Sequence, residues 1–132
     1  MSPSGQRATP LPPEKRRAAI IAVTDMARAR DFYQNTLGLA VVKGDGNVIQ
    51  FQTGKTVLVV YKSDFAGTNR ANAVVWGVGD EIDAITATLK AKGVTFEHYP
   101  GMDLQGDIHV AGDFKMVWFK DPDGNILHMN SM

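Results

Sequence analysis

The sequence predicts an α+β fold: two tandem βαβββ modules forming a cupped, mostly antiparallel sheet with the helices outside. Three observations predict it. The stretch beginning at Ala18, "AAIIAVTDMARARDFYQNTLGLAVV", returns in divergent form at Ala73 as "AVVWGVGDEIDAITATLKAKGVTFE". A constant shift of 55 pairs Ala18 with Ala73, Val23 with Val78, Asp25 with Asp80, Ala29 with Ala84 and Gly38 with Gly93. Each copy then follows one order, an apolar run of strand length, a helical stripe, a glycine and further strand-like runs.

Taken in order, the chain opens on "MSPSGQRATPLPPEK", which has no apolar periodicity and is expected to be a disordered tail over residues 1–14. The folded domain is expected over 15–130, with one module at about 18–62 and the other at about 73–130. The basic triplet Lys15-Arg16-Arg17 leads into it as a solvated patch. The Ile- and Val-rich runs after Ala18 and Ala73 read as buried strands. Asp25 and Asp80 stand where a helix N-cap needs an oxygen for unpaired backbone N–H groups. Met26, Ala29, Phe32, Tyr33, Thr36 and Leu37 make one helical stripe, and Ile82, Ile85 and Leu89 another. Gly38 and Gly93 end the helices, because a residue without Cβ takes the left-handed conformation freely. "LAVVK", "VIQFQT" and "TVLVVYK" complete the first module, with "GDGN" as a hairpin turn. "VTFEH", "FKMVWF" and "ILHMN" complete the second, with "DPDG" as a turn and "YPGMDLQGDIHVAGD" as a long loop.

Composition narrows the function. Fourteen basic residues balance fourteen acidic ones, so the surplus of cations that phosphate binding needs is missing and no nucleic-acid partner is expected. No apolar run approaches the length that spans a bilayer, so no membrane partner is expected either. Zero cysteines exclude disulfides, thiolate metal sites and thiol nucleophiles, and a cytoplasmic location is the default. Ser63 is the only serine inside the expected fold, and no Gly-x-Ser-x-Gly occurs. "GVGDEI" lacks the third glycine of a dinucleotide loop. "DPDGN" has no glutamate to close a calcium loop, since Met132 stands there.

"VTDMARARDFYQNTLGL" behind an apolar strand, with "WFKDPDGNILHM" near the end, resembles the vicinal oxygen chelate superfamily, which includes glyoxalase I, bleomycin-resistance proteins, fosfomycin-resistance enzymes and extradiol dioxygenases. The resemblance covers roughly residues 15–130 and implies the duplicated βαβββ fold, a cupped sheet and a homodimer. Exposed sheet edges and apolar patches argue for a dimer too. Metal-dependent members carry ligands on the first and last strand of each module. Those positions fall here on Ala18, Ala73 and His128, with Leu58 as the fourth and Val59 or Val60 if the count shifts. Only His128 has a donor atom, and one imidazole does not hold a catalytic divalent ion. No metal and no cofactor are therefore expected, unless His98 or His109 joins with Asp107 or Asp113.

Period-2 alternation puts Ile126, His128 and Asn130 on one face and Leu127 and Met129 on the other. His128 is the first site residue, as a ligand-orienting or proton-transfer group, against the alternative of a hydrogen-bonded core histidine. His109, in the long loop, is the second catalytic candidate. Ala18 and Ala73 leave room for a bulky apolar ligand, and Leu58, Tyr61, Tyr99 and Trp118 are the expected lining. Strand parity places Trp76 under a helix and leaves open which face of 114–119 lines the cup. Glycines 101, 106 and 112 make the long loop a candidate lid, or a strand extension. The expected function is metal-independent binding of a small hydrophobic or aromatic molecule. The alternative is an enzyme of the same fold, a lyase, isomerase or dioxygenase, using His128 or His109 as acid/base or in an atypical metal site.

Overall fold

The computed structural model describes residues 18–132; the expected tail and Lys15-Arg16-Arg17 lie outside the described residues. Ten strands and two helices follow one another as β1 (Ala18–Val23), α1 (Met26–Arg30), β2 (Ala40–Gly44), β3 (Val48–Thr53), β4 (Thr56–Lys62), β5 (Asn72–Gly77), α2 (Ile82–Ala91), β6 (Phe96–Glu97), β7 (Asp103–Gln105), β8 (Ile108–Ala111), β9 (Phe114–Lys120) and β10 (Ile126–Asn130). They form two sheets. The first runs β1-β4-β3-β2, and the second runs β5-β10-β9-β8-β7 with β6 also on β9. In each the first strand pairs parallel with the last, and the remaining pairs are antiparallel. The fold is the α+β duplication that the repeat predicts.

The local signals act unequally. Asp25 caps α1, its carboxylate accepting the Arg28 N–H at 3.0 Å. The helix then widens into a π segment over Asp31–Thr36, where the Leu37 N–H reaches back to the Phe32 carbonyl. This brings Tyr33 fully into the core, against Phe51. Asp80 does not cap α2. Gly79, at φ +61°, starts a 3-10 turn over Gly79–Glu81, and α2 begins at Ile82 behind Glu81, which makes no side-chain cap bond. The "VTFEH" strand shortens to Phe96–Glu97. The long loop is in part a strand extension, because β7 and β8 form a hairpin in it and β8 continues along β9.

One face of each sheet carries the core: Ile21, Val23, Ile49, Phe51, Leu58 and Val60 from the first, Val117, Phe119, Leu127 and Met129 from the second. Burying such side chains is worth roughly 1.5–3 kcal/mol apiece, so this shared core dominates stability. Trp76 packs against it, as parity predicts. Two symmetric ties join the halves, one from each first strand to the turn before the other sheet's last strand. Asn125 donates to the Ala22 carbonyl at 2.8 Å, and the Trp76 indole N–H donates to the Thr53 hydroxyl at 2.7 Å. The DPDGN turn is a clasp. Asp121, buried, accepts from Tyr33 OH at 2.8 Å and from Asn125, while Asp123 accepts from Thr24 and Arg28.

Candidate functional site

The opposite, open face of the second sheet carries His109 and His128. His128 faces Trp118 across the β9–β10 pair, and His109 faces Met116 across β8–β9. The open face of β9 is therefore the one with Met116 and Trp118, while Val117 and Phe119 sit in the core. The His128 imidazole stacks on the Trp118 indole at 4.6 Å and 21°. His109 and Tyr99 meet the same indole edge-on, at 5.0 Å and 5.2 Å. Four predicted site residues thus form one cluster, drawn from β10, β9, β8 and the segment after β6.

Each ring's hydrogen bonds fix its state. The Val117 carbonyl can only accept, so the His128 nitrogen 3.0 Å from it, Nδ1, carries the proton. Nε2 then holds a lone pair, and the Asn130 amide donates to it at 3.2 Å. Asn130 is itself held by the Met132 N–H on its amide oxygen, at 3.0 Å. Burial lowers the pKa of His128 below the ordinary histidine value, against the smaller opposing effect of the Val117 bond, so the ring is neutral at pH 7. Both nitrogens are committed, which is the arrangement of a hydrogen-bonded core histidine more than of a free base. In His109 the Nε2 accepts the Tyr99 backbone N–H at 2.8 Å, while Nδ1 is buried without a partner.

A polar latch borders the cluster. Asp107, at the β7–β8 turn, binds His98 Nε2 at 2.8 Å and Lys90 Nζ at 3.0 Å, joining the hairpin to α2 and to the segment bearing Tyr99. The His98 bond, then the Lys90 bond, hold the Asp107 carboxyl below its usual range. His98 and Asp107 are thus committed to each other. Among the described residues no group of three or more His, Cys, Asp or Glu side chains is placed to hold a metal.

The other predicted lining residues lie elsewhere. Leu58 is fully buried in the core, and register shows why: Leu58 faces Phe51 as Leu127 faces Phe119. The first-sheet counterpart of His128 is therefore Val59, one place on, and the count from Gly54 falls on the wrong face. Ala18 opens β1 on the exposed side, and Tyr61 lies on the open face of the first sheet, facing Ala22 and Val48. No aromatic pairing joins Tyr61 to the Trp118 cluster among the described residues. Ala73 and Leu58 instead line a groove of about 430 Å³ between the sheets, with Ala19, Thr53 and Trp76. Sequence reasoning missed Asn130 as the partner of His128, although its placement two residues on along the same face was the available signal. It had no signal for the Tyr99–His109 bond.

The metal of the metal-dependent relatives does not fit these residues. Ala18, Ala73 and Val59 offer no donor atom where the family resemblance implies ligands, and the lone pair of His128 is occupied by Asn130.

A sequence profile of the Glyoxalase/Bleomycin resistance protein/Dioxygenase superfamily matches residues 17–129. Among solved structures, a lactoylglutathione lyase from Agrobacterium tumefaciens is similar at 19% identity and a TM-score of 0.68, covering 90% of this chain and 94% of its own. A glyoxalase/bleomycin resistance protein/dioxygenase from Alicyclobacillus acidocaldarius is similar at 19% identity and TM-score 0.69, covering 90% and 92%. The fosfomycin resistance protein FosX from Listeria monocytogenes, complexed with Mn(II) and sulfate, is similar at 16% identity and TM-score 0.69, covering 92% and 91%. No match was found among curated proteins. At these identities the structural likenesses establish the fold alone. The profile match spans nearly the whole described chain, and the protein belongs to the Glyoxalase/Bleomycin resistance protein/Dioxygenase superfamily.

Proposed function

We propose that the protein binds a small hydrophobic or aromatic molecule without a metal, on the open face of the second sheet around Trp118. The observation that carries this reading is the cluster itself. A half-buried indole is backed by a neutral His128 and flanked by His109 and Tyr99, an apolar surface with few convergent polar atoms. The manganese of the FosX neighbour is not carried over, because Ala18, Ala73 and Val59, at positions where the family resemblance implies ligands, have no donor atom. A second reading, an isomerase or lyase with His109 as the acid, is favoured by one observation, its unpartnered Nδ1.

A homodimer is part of the proposal. The open faces leave apolar side chains in solvent, Ile20 at 63% exposure on the first sheet and Val75 at 51% on the second. Sedimentation showing a monomer at all concentrations would remove it.

The two tryptophans make the main test direct, since Trp76 lines the groove between the sheets and Trp118 the cluster. Naphthalene-sized probes are titrated into metal-stripped Trp76→Phe and Trp118→Phe proteins. Saturable quenching of Trp118 in the absence of metal is expected. Binding only after Zn²⁺, Ni²⁺, Mn²⁺ or Fe²⁺ is restored, or quenching of Trp76 alone, would sink the proposal.

A further inference from the structure

We propose that His109 is the specificity-determining donor of this site, its Nδ1–H taking an acceptor oxygen on the edge of a planar, largely apolar ring that packs against Trp118. This rests on the small-molecule reading above and deepens it by naming the polar group the ligand must carry.

The argument is one of hydrogen-bond accounting. A ring nitrogen that accepts a backbone N–H has its lone pair in use and bears no proton, so the neutral His109 ring is protonated on Nδ1. That N–H has no partner although the side chain is fully buried. No acceptor among the described residues meets it. His128 uses both nitrogens, the Asn130 amide is held at both ends, and Asp107 is engaged by His98 and Lys90. The cluster therefore presents one uncommitted buried donor beside an apolar ring surface. A buried donor discriminates strongly between ligands that do and do not supply its acceptor. A carbonyl, ether or phenolate oxygen satisfies it, and a plain hydrocarbon does not.

Access is through Tyr99. The residue is 37% exposed and its ring rests edge-on against Trp118, on a segment that makes no strand pairing and turns at Gly101, φ +94°. Rotation of this side chain uncovers the indole, while the Tyr99 backbone N–H keeps His109 in the donor tautomer. The His128–Trp118 stack beneath is fixed by Val117 and Asn130 and forms a rigid floor.

The test compares two probes of equal shape, 2-acetylnaphthalene and 2-isopropenylnaphthalene, on the full chain with ¹⁵N-labelled histidine. The ketone is expected to bind about tenfold more tightly, to move the His109 Nδ1–H resonance, and to lose its advantage in His109→Phe. Equal affinities with Trp118 quenched and His109 unmoved would overturn the inference and leave the binding reading standing. That outcome would assign the binding to apolar contact with the indole alone. Failure of both probes to perturb Trp118 would overturn the two together. If His109→Phe does not fold, the comparison on the unaltered protein decides alone.

Discussion

The imidazole of His128 lies on the indole of Trp118, ring centres 4.6 Å apart, with its Nε2 closed off by the amide of Asn130 at 3.2 Å. His128 is here a neutral, fully bonded element of the sheet. Its consequence is a pH dependence of stability. Burial depresses the folded pKa of His128, so in acid the unfolded chain takes up a proton more readily than the folded one. The stabilisation is complete above the unfolded value near 6.5 and is lost as pH falls through the folded value. Urea midpoints measured from pH 7.5 down to 5 should decline, and His128→Gln should flatten that limb. A parallel decline in the variant would assign it to other groups.

Asn130→Ala removes the donor to Nε2 and leaves that nitrogen free to accept a proton. The His128 titration followed by NMR should move upward. The loss of a buried hydrogen bond should cost about 1 kcal/mol in urea unfolding. An unchanged titration would mean that the amide does not hold the lone pair in solution.

Tyr33 and Asp121 join the π segment after α1 to the last turn at 2.8 Å. Burial, reinforced by Asp121, drives the phenol far above its ordinary pKa, so the tyrosine stays neutral when folded. Tyr33→Phe should destabilise by about 1.5–3 kcal/mol, the range for a bond to a charged group. Above pH 10 only the unfolded chain ionises at this tyrosine, so wild-type stability should fall there and the variant should lack that component. Denaturant unfolding at pH 7 and pH 10.5 measures both.

Gly67 passes the DPDGN turn at φ +73°, and a Cβ there would stand 2.0 Å from the Asp123 carbonyl oxygen. Both atoms near the clash are backbone, so no side chain can yield. Gly67→Ala should cost more than the roughly 1–2 kcal/mol of a conformational penalty alone. Gly46→Ala, where nothing lies within 4 Å, is the control and should be near neutral in thermal unfolding.

Much of the fold was legible because its signals are local. Alternation in "ILHMN" separated Leu127 and Met129 from His128 and Asn130, and the structure places the first pair in the core. The stripe from Met26 to Leu37, the Asp25 cap and the glycine stops followed from helical period and backbone sterics. Asp80 failed as a cap because the positive φ of Gly79 diverts the chain into a 3-10 turn first, a choice that residue preference does not reveal.

The sequence by itself determined the duplication, the order of elements, the superfamily and the lack of donors at Ala18 and Ala73. Only the tertiary structure decided that Leu58 points inward and Val59 outward, because face depends on cross-strand register rather than on distance from a glycine. It also decided that the β7–β8 hairpin carries His109 to Trp118, and that His128 has no lone pair to spare while His109 has an N–H without a partner. The protonation and availability of an imidazole are set by the atoms around it, and those atoms come from strands far apart in the chain.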